Sequence, residues 1–345
     1  VVITRLIFEW RLTKADTFEF STKASKGLFQ NLDFSFVKNR KKFYIISGLA
    51  VVLGLVTIFT RGLKPSVEFA GGRTYEIVFE NPVADKIDDI EGLLRSELIE
   101  ANGKEASVEV KSRNSDYRVE IATDFMSKAP GSGQQVQDDI TKALKSKVDV
   151  YGIGKIENSR SVSATVSEEL KSSSTLAIIF ALIIIFAYIL IRFGKWQYGA
   201  GAILAMTHDV IIVLALFAGL HGVLPFNMEI DQAFIAAILT VVGYSINDTV
   251  VVFDRIREYL AKYRGKDRKE VINSALNSTL SRTINTSLST FIVLLTIFIF
   301  DGGGAIRGFV FALMVGVIVG TYSSICIATP SVVDLVKDKE EDKEN

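Results

Sequence analysis

The stretch VVGYSINDTVVVFDRIRE, Val241 to Glu258, begins inside an apolar run, ends in alternating charge and carries an Asn–Asp pair, Asn247–Asp248. An ionisable group within a membrane-spanning helix costs about 3 kcal/mol or more and marks an ion path, a relay or a paired charge by default. Two further places qualify. MTHDV holds His208–Asp209, and NSTLSRTINTSLST places Ser278, Arg282, Asn285 and Ser289 on one helical face.

Helical geometry limits the pairings. Asp248 and Arg255 share a face but lie two turns apart, roughly 10 Å, too far for a direct ion pair. Arg282, on the next helix, is the expected partner of Asp248 if the two helices pack antiparallel. A carboxylate in a low-dielectric, partly wet cavity can alternate between neutral and charged forms. A guanidinium stays charged and can capture or release it. Crossing 100 mV is worth about 2.3 kcal/mol per charge, enough to drive motion when a carboxylate is loaded from one side and unloaded to the other. Asn247 can hydrogen-bond either form. The alternative is a static network in which Asp248, Arg282 and Asn285 hold helices together. His208–Asp209 reads equally as a relay or as a histidine satisfying its neighbour.

These residues need a membrane frame, and the composition supplies one. Of 345 residues 49% are hydrophobic, concentrated in nearly uncharged runs. About 20 apolar residues cross a bilayer. Six runs qualify: 43–60, 174–191, 197–219, 232–253, 284–300 and 305–329. The fold class expected is an α-helical polytopic membrane protein with six transmembrane helices. Small residues at Gly201 and Ala205, and at Gly316 and Gly320, have the spacing of closely approaching helices.

Lys and Arg orient the spans. The leader 1–42 holds nine of them and the stretch 254–283 eight, whereas Leu220–Asp231 has none. Both termini and the tail 330–345 are therefore expected in the cytoplasm, with residues 61–173 outside. The stretch 254–283 is expected as a cytoplasmic loop leading into the fifth span. A leader starting VVITRLIFEW has too short an apolar stretch for a signal peptide and reads as the end of an earlier helix. Net charge is zero, so no basic field for nucleic acid exists. The single cysteine, Cys326, allows no disulfide framework. Neither a cofactor nor a metal-binding pattern is present, and no enzyme is expected.

Residues 61–173 suffice for one small α+β domain. TYEIVF (Thr74–Phe79) alternates like a strand, Val83–Leu98 carries a helical stripe, and SVEVKSRNSDYRVEIA reads as two strands about a turn. SGQQVQDDITKALKSKV follows as a second amphipathic helix and Val150–Ser163 as a last strand. The order β-α-β-β-α-β is that of the ferredoxin-like split βαβ unit, read as a binding or docking module. Gly71–Gly72, ahead of the first strand, fits either a tight turn requiring positive φ or a hinge.

VVGYSINDTVVVFDRIRE, RTINTSLST, IRGFVFALMVGVIVGTYSSICIATP, MTHDV and FAGGRTYEI together resemble the SecD/SecF protein-export family, on its SecF side, within the resistance-nodulation-division superfamily. The resemblance runs from about Phe34 to Leu335. It implies six spans, one periplasmic domain, and an accessory subunit of the bacterial Sec translocon in the inner membrane. Such a subunit uses the proton motive force to complete preprotein translocation. By position, Asp248 and Arg282 match the family's proton-transport residues and Gly71–Gly72 its glycine pair. Implied partners are a SecD-like half, the SecYEG translocon, YajC, YidC and the preprotein. The leader 1–42 resembles a linker from SecD, which implies the second half of a fused chain. One departure is VSATVSEEL before the second span, which lacks the family's Gly-Pro.

Two other readings compete. A proton-coupled small-molecule or lipid exporter of the same superfamily implies much larger external domains and duplicated spans. An intramembrane aspartyl hydrolase requires Asp209 and Asp248 to share a proton, and no hydrolase motif accompanies them.

Overall fold

A computed structural model describes Glu9 and residues 33–99, 103, 106–112, 115–127, 129, 131–162, 164–224, 226, 228–300 and 306–336. Most of the expected leader, the DGGG turn at 301–304 and the tail end at 337–345 lie outside the described residues. Six helices are long and apolar enough to cross a membrane, the number expected from composition.

Helix α1 (Arg40–Arg61) leads to the single turn α2 (Val67–Ala70) and strand β1 (Gly72–Val78). Helix α3 (Ile87–Glu97), strands β2 (Val108–Ser112) and β3 (Arg118–Thr123), helix α4 (Gly133–Lys145), the turn α5 (Val148–Tyr151) and strand β4 (Lys155–Val162) follow. Then come α6 (Ala164–Phe193), α7 (Trp196–Leu220), α8 (Gln232–Lys262) and α9 (Arg268–Phe300). The last span is α10 (Arg307–Ser323), a π-helical turn Ser324–Ala328 and α11 (Thr329–Leu335).

Several helices outlast the apolar runs that announce them. The expected loop 254–283 shrinks to residues 263–267, because α8 continues to Lys262 and α9 already begins at Arg268. Its charged residues ride on helix faces beyond the apolar part. Near the end of α8, Arg192 of α6 and Arg257 both contact the Asp254 carboxylate, at 2.9 and 3.1 Å.

Helices α7, α8 and the last span form the centre of the bundle. Small residues permit this. A Cβ on Gly316 would collide with Val241 of α8, and one on Gly201 would lie 2.7 Å from the Ala328 carbonyl oxygen. Gly320 abuts Ser245, where an added Cβ would sit 3.1 Å from the serine Cβ. The expected small-residue spacing thus belongs to real backbone approaches.

In the domain between α1 and α6 the strand order is β2-β3-β1-β4, every neighbouring pair antiparallel. Alternation sends Tyr75, Ile77, Val108, Val110, Val119 and Ile121 into one core with Ile90 and Leu94 of α3 and Val136 and Ile140 of α4. Each such burial contributes about 1.5–3 kcal/mol relative to exposure. The helix expected from Val83 starts only at Ile87. Val83 instead seats in the core and donates its N–H to the Asp116 carbonyl. The opposite sheet face is polar: Thr74, Glu76, Lys111, Glu120, Asn158 and Arg160 line a cavity of about 150 Å³ there.

Candidate ion pathway

Helix α8 presents one buried stripe, Val241, Ser245, Asp248, Thr249 and Val252, to the bundle centre. The one-turn spacing of Ser245 and Asp248 sets two polar nodes side by side. In the first, Asp209 of α7 is completely buried. Its Oδ2 accepts hydrogen bonds from Ser245 Oγ and Ser323 Oγ, both at 2.7 Å, and its Oδ1 lies 3.1 Å from His208 Nδ1. One carboxylate therefore ties α7, α8 and α10 together. The position of His208 matches the reading in which it satisfies its neighbour.

The second node is looser. Asp248 is 4% exposed, and Ser287 Oγ of α9 approaches its Oδ2 at 3.5 Å. Ser287 accepts a short bond from Thr321 Oγ1 of α10 (2.6 Å), and Tyr244 Oη lies 3.5 Å from both Ser287 and Thr290. Thr321 and Ser323 stand two residues apart on α10, so hydroxyls approach both carboxylates from one helix. The two aspartates have separate hydroxyl partners, which is not the shared arrangement an aspartyl hydrolase requires.

Arg282 is placed differently from the expectation. Ser278, Arg282, Asn285 and Ser289 all share a face, but that face is exposed on this chain. No ion pair within 4.0 Å joins Arg282 to Asp248 among the described residues, although its charge reaches the carboxylate electrostatically. The buried polar stripe of α9 is instead Thr279, Thr283 and Ser287. Both stripes follow helical spacing, and they run side by side. Asn247 is also exposed, on the α8 face with Thr240 and Gly243. Arg255 turns to Glu258 and Ser278, as the two-turn separation from Asp248 requires.

Ser245, Ser287, Thr321 and Ser323 were not singled out by sequence. Only Ser245 carried a signal, one turn ahead of Asp248 in SIND. Among the described residues no group of three or more His, Cys, Asp or Glu side chains is arranged to hold a metal ion.

Gly71 and Gly72 have a local structural reason. Gly71 adopts φ 79°, and a Cβ on Gly72 would lie 2.6 Å from the Thr123 carbonyl oxygen on β3. The turn reading accounts for both residues. Gly72→Val is expected to destabilise the domain by about 2 kcal/mol or more through that collision. Thermal unfolding of the full chain in detergent checks it, and an unchanged midpoint would show that the strand end can move aside.

Residues 141–338 match the family described as "Protein export membrane protein SecD/SecF, C-terminal", and residues 56–83 match the "SecD/SecF GG Motif". The "Protein translocase subunit SecF" of Rhodothermus marinus is 43% identical over 309 residues, covering 89% of this chain and 95% of the relative. That of Petrotoga mobilis is 36% identical over 324 residues, covering 89% and 97%. Among solved structures, SecDF, a translocon-associated membrane protein from Thermus thermophilus, superposes with a TM-score of 0.76 at 29% identity. The match covers 95% of this chain and 41% of the SecDF chain.

Proposed function

The chain belongs to the SecD/SecF family of protein-export membrane proteins, and on that premise we propose that ion movement past Asp248 drives motion of its α+β domain during preprotein export. The observation that carries this reading is the contrast between the two buried aspartates. Asp209 has its oxygens committed to three donors, whereas Asp248 keeps lone pairs open beside a chain of hydroxyls. A buried acceptor with spare capacity is suited to take up and release a proton.

In this reading both termini face the cytoplasm, and the ferredoxin-like domain faces the periplasm. The Lys- and Arg-rich ends of the helices support that orientation. Arg282, Asn285, Ser289 and Asn247 form a polar face that lipid would leave unsatisfied. A SecD-like half is the proposed cover for this face, with Arg282 acting on Asp248 once covered. The membrane-driven stroke acts on a preprotein leaving the SecYEG translocon.

The test is ion flux in vesicles holding the chain together with its SecD-like partner, read with an internal pH dye. Proton entry that follows the imposed gradient and requires both halves is expected. Vesicles no leakier than protein-free controls would overturn the reading.

A further inference from the structure

The domain is joined to the bundle covalently at one corner of its sheet. Gly72, at the start of β1, is paired with Val162, at the end of β4, so both chain connections leave from adjacent points. The opposite edge strand is β2. It is held to the membrane part by side chains alone.

Four charged residues from three elements make this second attachment. Lys64, on the segment leaving α1, has its Nζ 3.4 Å from Glu229 Oε1 and 4.0 Å from Glu109 Oε1. Lys111 of β2 has its Nζ 3.2 Å from Glu109 Oε2 and 3.3 Å from Glu229 Oε2. Glu229 belongs to the approach to α8, and its side chain is only 6% exposed. The base under it is rigid. Ser66 donates its N–H to the Ile230 carbonyl and Ile230 donates its N–H to that of Lys64. The carboxylates of Glu68 and Asp231 then cap the first N–H groups of α8, at Gln232 and Phe234. The helix carrying Asp248 is thus bound at its start to the segment leading into Gly71–Gly72.

We propose that Lys64, Glu109, Lys111 and Glu229 form a proton-sensitive clasp that holds the β2 edge of the domain against the start of α8, with the Gly72–Val162 corner as the hinge about which the domain swings when the clasp opens. The cluster stands whether or not Asp248 carries ions.

The chemistry of the pair sets the sign. Burial and the adjoining Glu229 push the Glu109 carboxyl up from 4.5 to about 8, against the pull of Lys111 and Lys64. Burial acts on Glu229 in the same sense, but the bond from Glu109 and the two lysines outweigh it and hold Glu229 below the usual range. One proton is therefore shared, and it resides on Glu109. The other groups facing the pair are Glu120 opposite Lys111 on β3, Glu68 of α2, Asp231, and His221 with Arg61 behind it. Burial and Lys64 hold the His221 imidazole below its usual range, so it stays neutral above pH 6.5.

Glu109 binds its proton more tightly in the closed clasp than when solvated, so closure is fully favoured below pH 4.5 and weakens as pH rises through about 8. Across that window the closed-to-open ratio falls by about tenfold per pH unit. A periplasm acidified by the proton gradient keeps the clasp shut.

The experiment uses the full chain in lipid nanodiscs with Cys326→Ala and spin labels on cysteines at Tyr117, an exposed site on the domain, and Val223, an exposed site after α7. Pulsed electron spin resonance reads the distance from pH 6 to pH 9. A single distance at low pH, giving way to a second population as pH passes about 8, is expected. Glu109→Gln, permanently neutral, should hold the first distance throughout, and Glu229→Gln should show the second at every pH. Asp248→Asn should leave the transition in place. A distance that ignores pH in the native chain, or a Glu109→Gln variant that titrates like it, overturns the proposal.

Discussion

Asp248→Asn is expected to remove gradient-driven flux, and with it the ion-coupled component of export, by about tenfold or more, as for loss of an intramembrane carboxylate relay. The amide is nearly isosteric and still accepts the Ser287 hydroxyl at the same position, so the fold should persist. Unfolding stability is expected to stay within about 0.5 kcal/mol of native, because no cavity and no stranded donor is created. The pairing of unchanged stability with lost flux is the signature of a relay. Native flux in the variant would reduce Asp248 to a packing element, and the hydroxyl chain through Ser287 and Thr321 would then have no ion to serve.

Asp209→Ala should do the opposite. Removing this carboxylate strands the hydroxyls of Ser245 and Ser323 and the His208 ring in a dry centre where α7, α8 and α10 meet. Hydrogen bonds between membrane helices average about 0.6 kcal/mol and reach about 1.7. Three lost together, with an unfilled cavity, amount to a destabilisation of about 2–5 kcal/mol. The measurement is the thermal midpoint of the full chain in detergent. Asp209→Asn, which keeps an acceptor oxygen, should recover part of the loss. If Asp209→Ala melts like the native chain yet carries no ions, the roles of the two aspartates are reversed.

The spans were legible because a run of about twenty apolar residues is at home in a bilayer and almost nowhere else. Their ends were not, since α9 starts in a charged segment whose helical character depends on tertiary contact at Val271, Ile272, Ala275 and Leu276. The two carboxylates were legible as anomalies. Their partners were not, because α9 carries two adjacent polar stripes, and spacing alone cannot tell the one bearing Arg282 from the one bearing Ser287. Least visible of all was the charged cluster at the foot of the domain. Glu109 and Lys111 look like ordinary residues on the solvated face of a strand, and nothing local points to Glu229, far along the chain. Their meeting depends on the sheet turning its polar face toward α8.

The π-helical turn at Ser324–Ala328 has a consequence for how the last span can vary. Ahead of it, Ser323 is keyed to Asp209; behind it, the Ala328 carbonyl and Val332 rest on Gly201 of the same partner helix. Thr329 Oγ1 reaches back to the Ser324 carbonyl, five residues away, across the widened turn. Deleting one residue there would restore an ordinary helix and turn one half by about 100° relative to the other. Either the serine or the seat on Gly201 would then miss its mate. The surplus residue acts as a phase shifter, letting one continuous helix present two differently timed faces to a single neighbour.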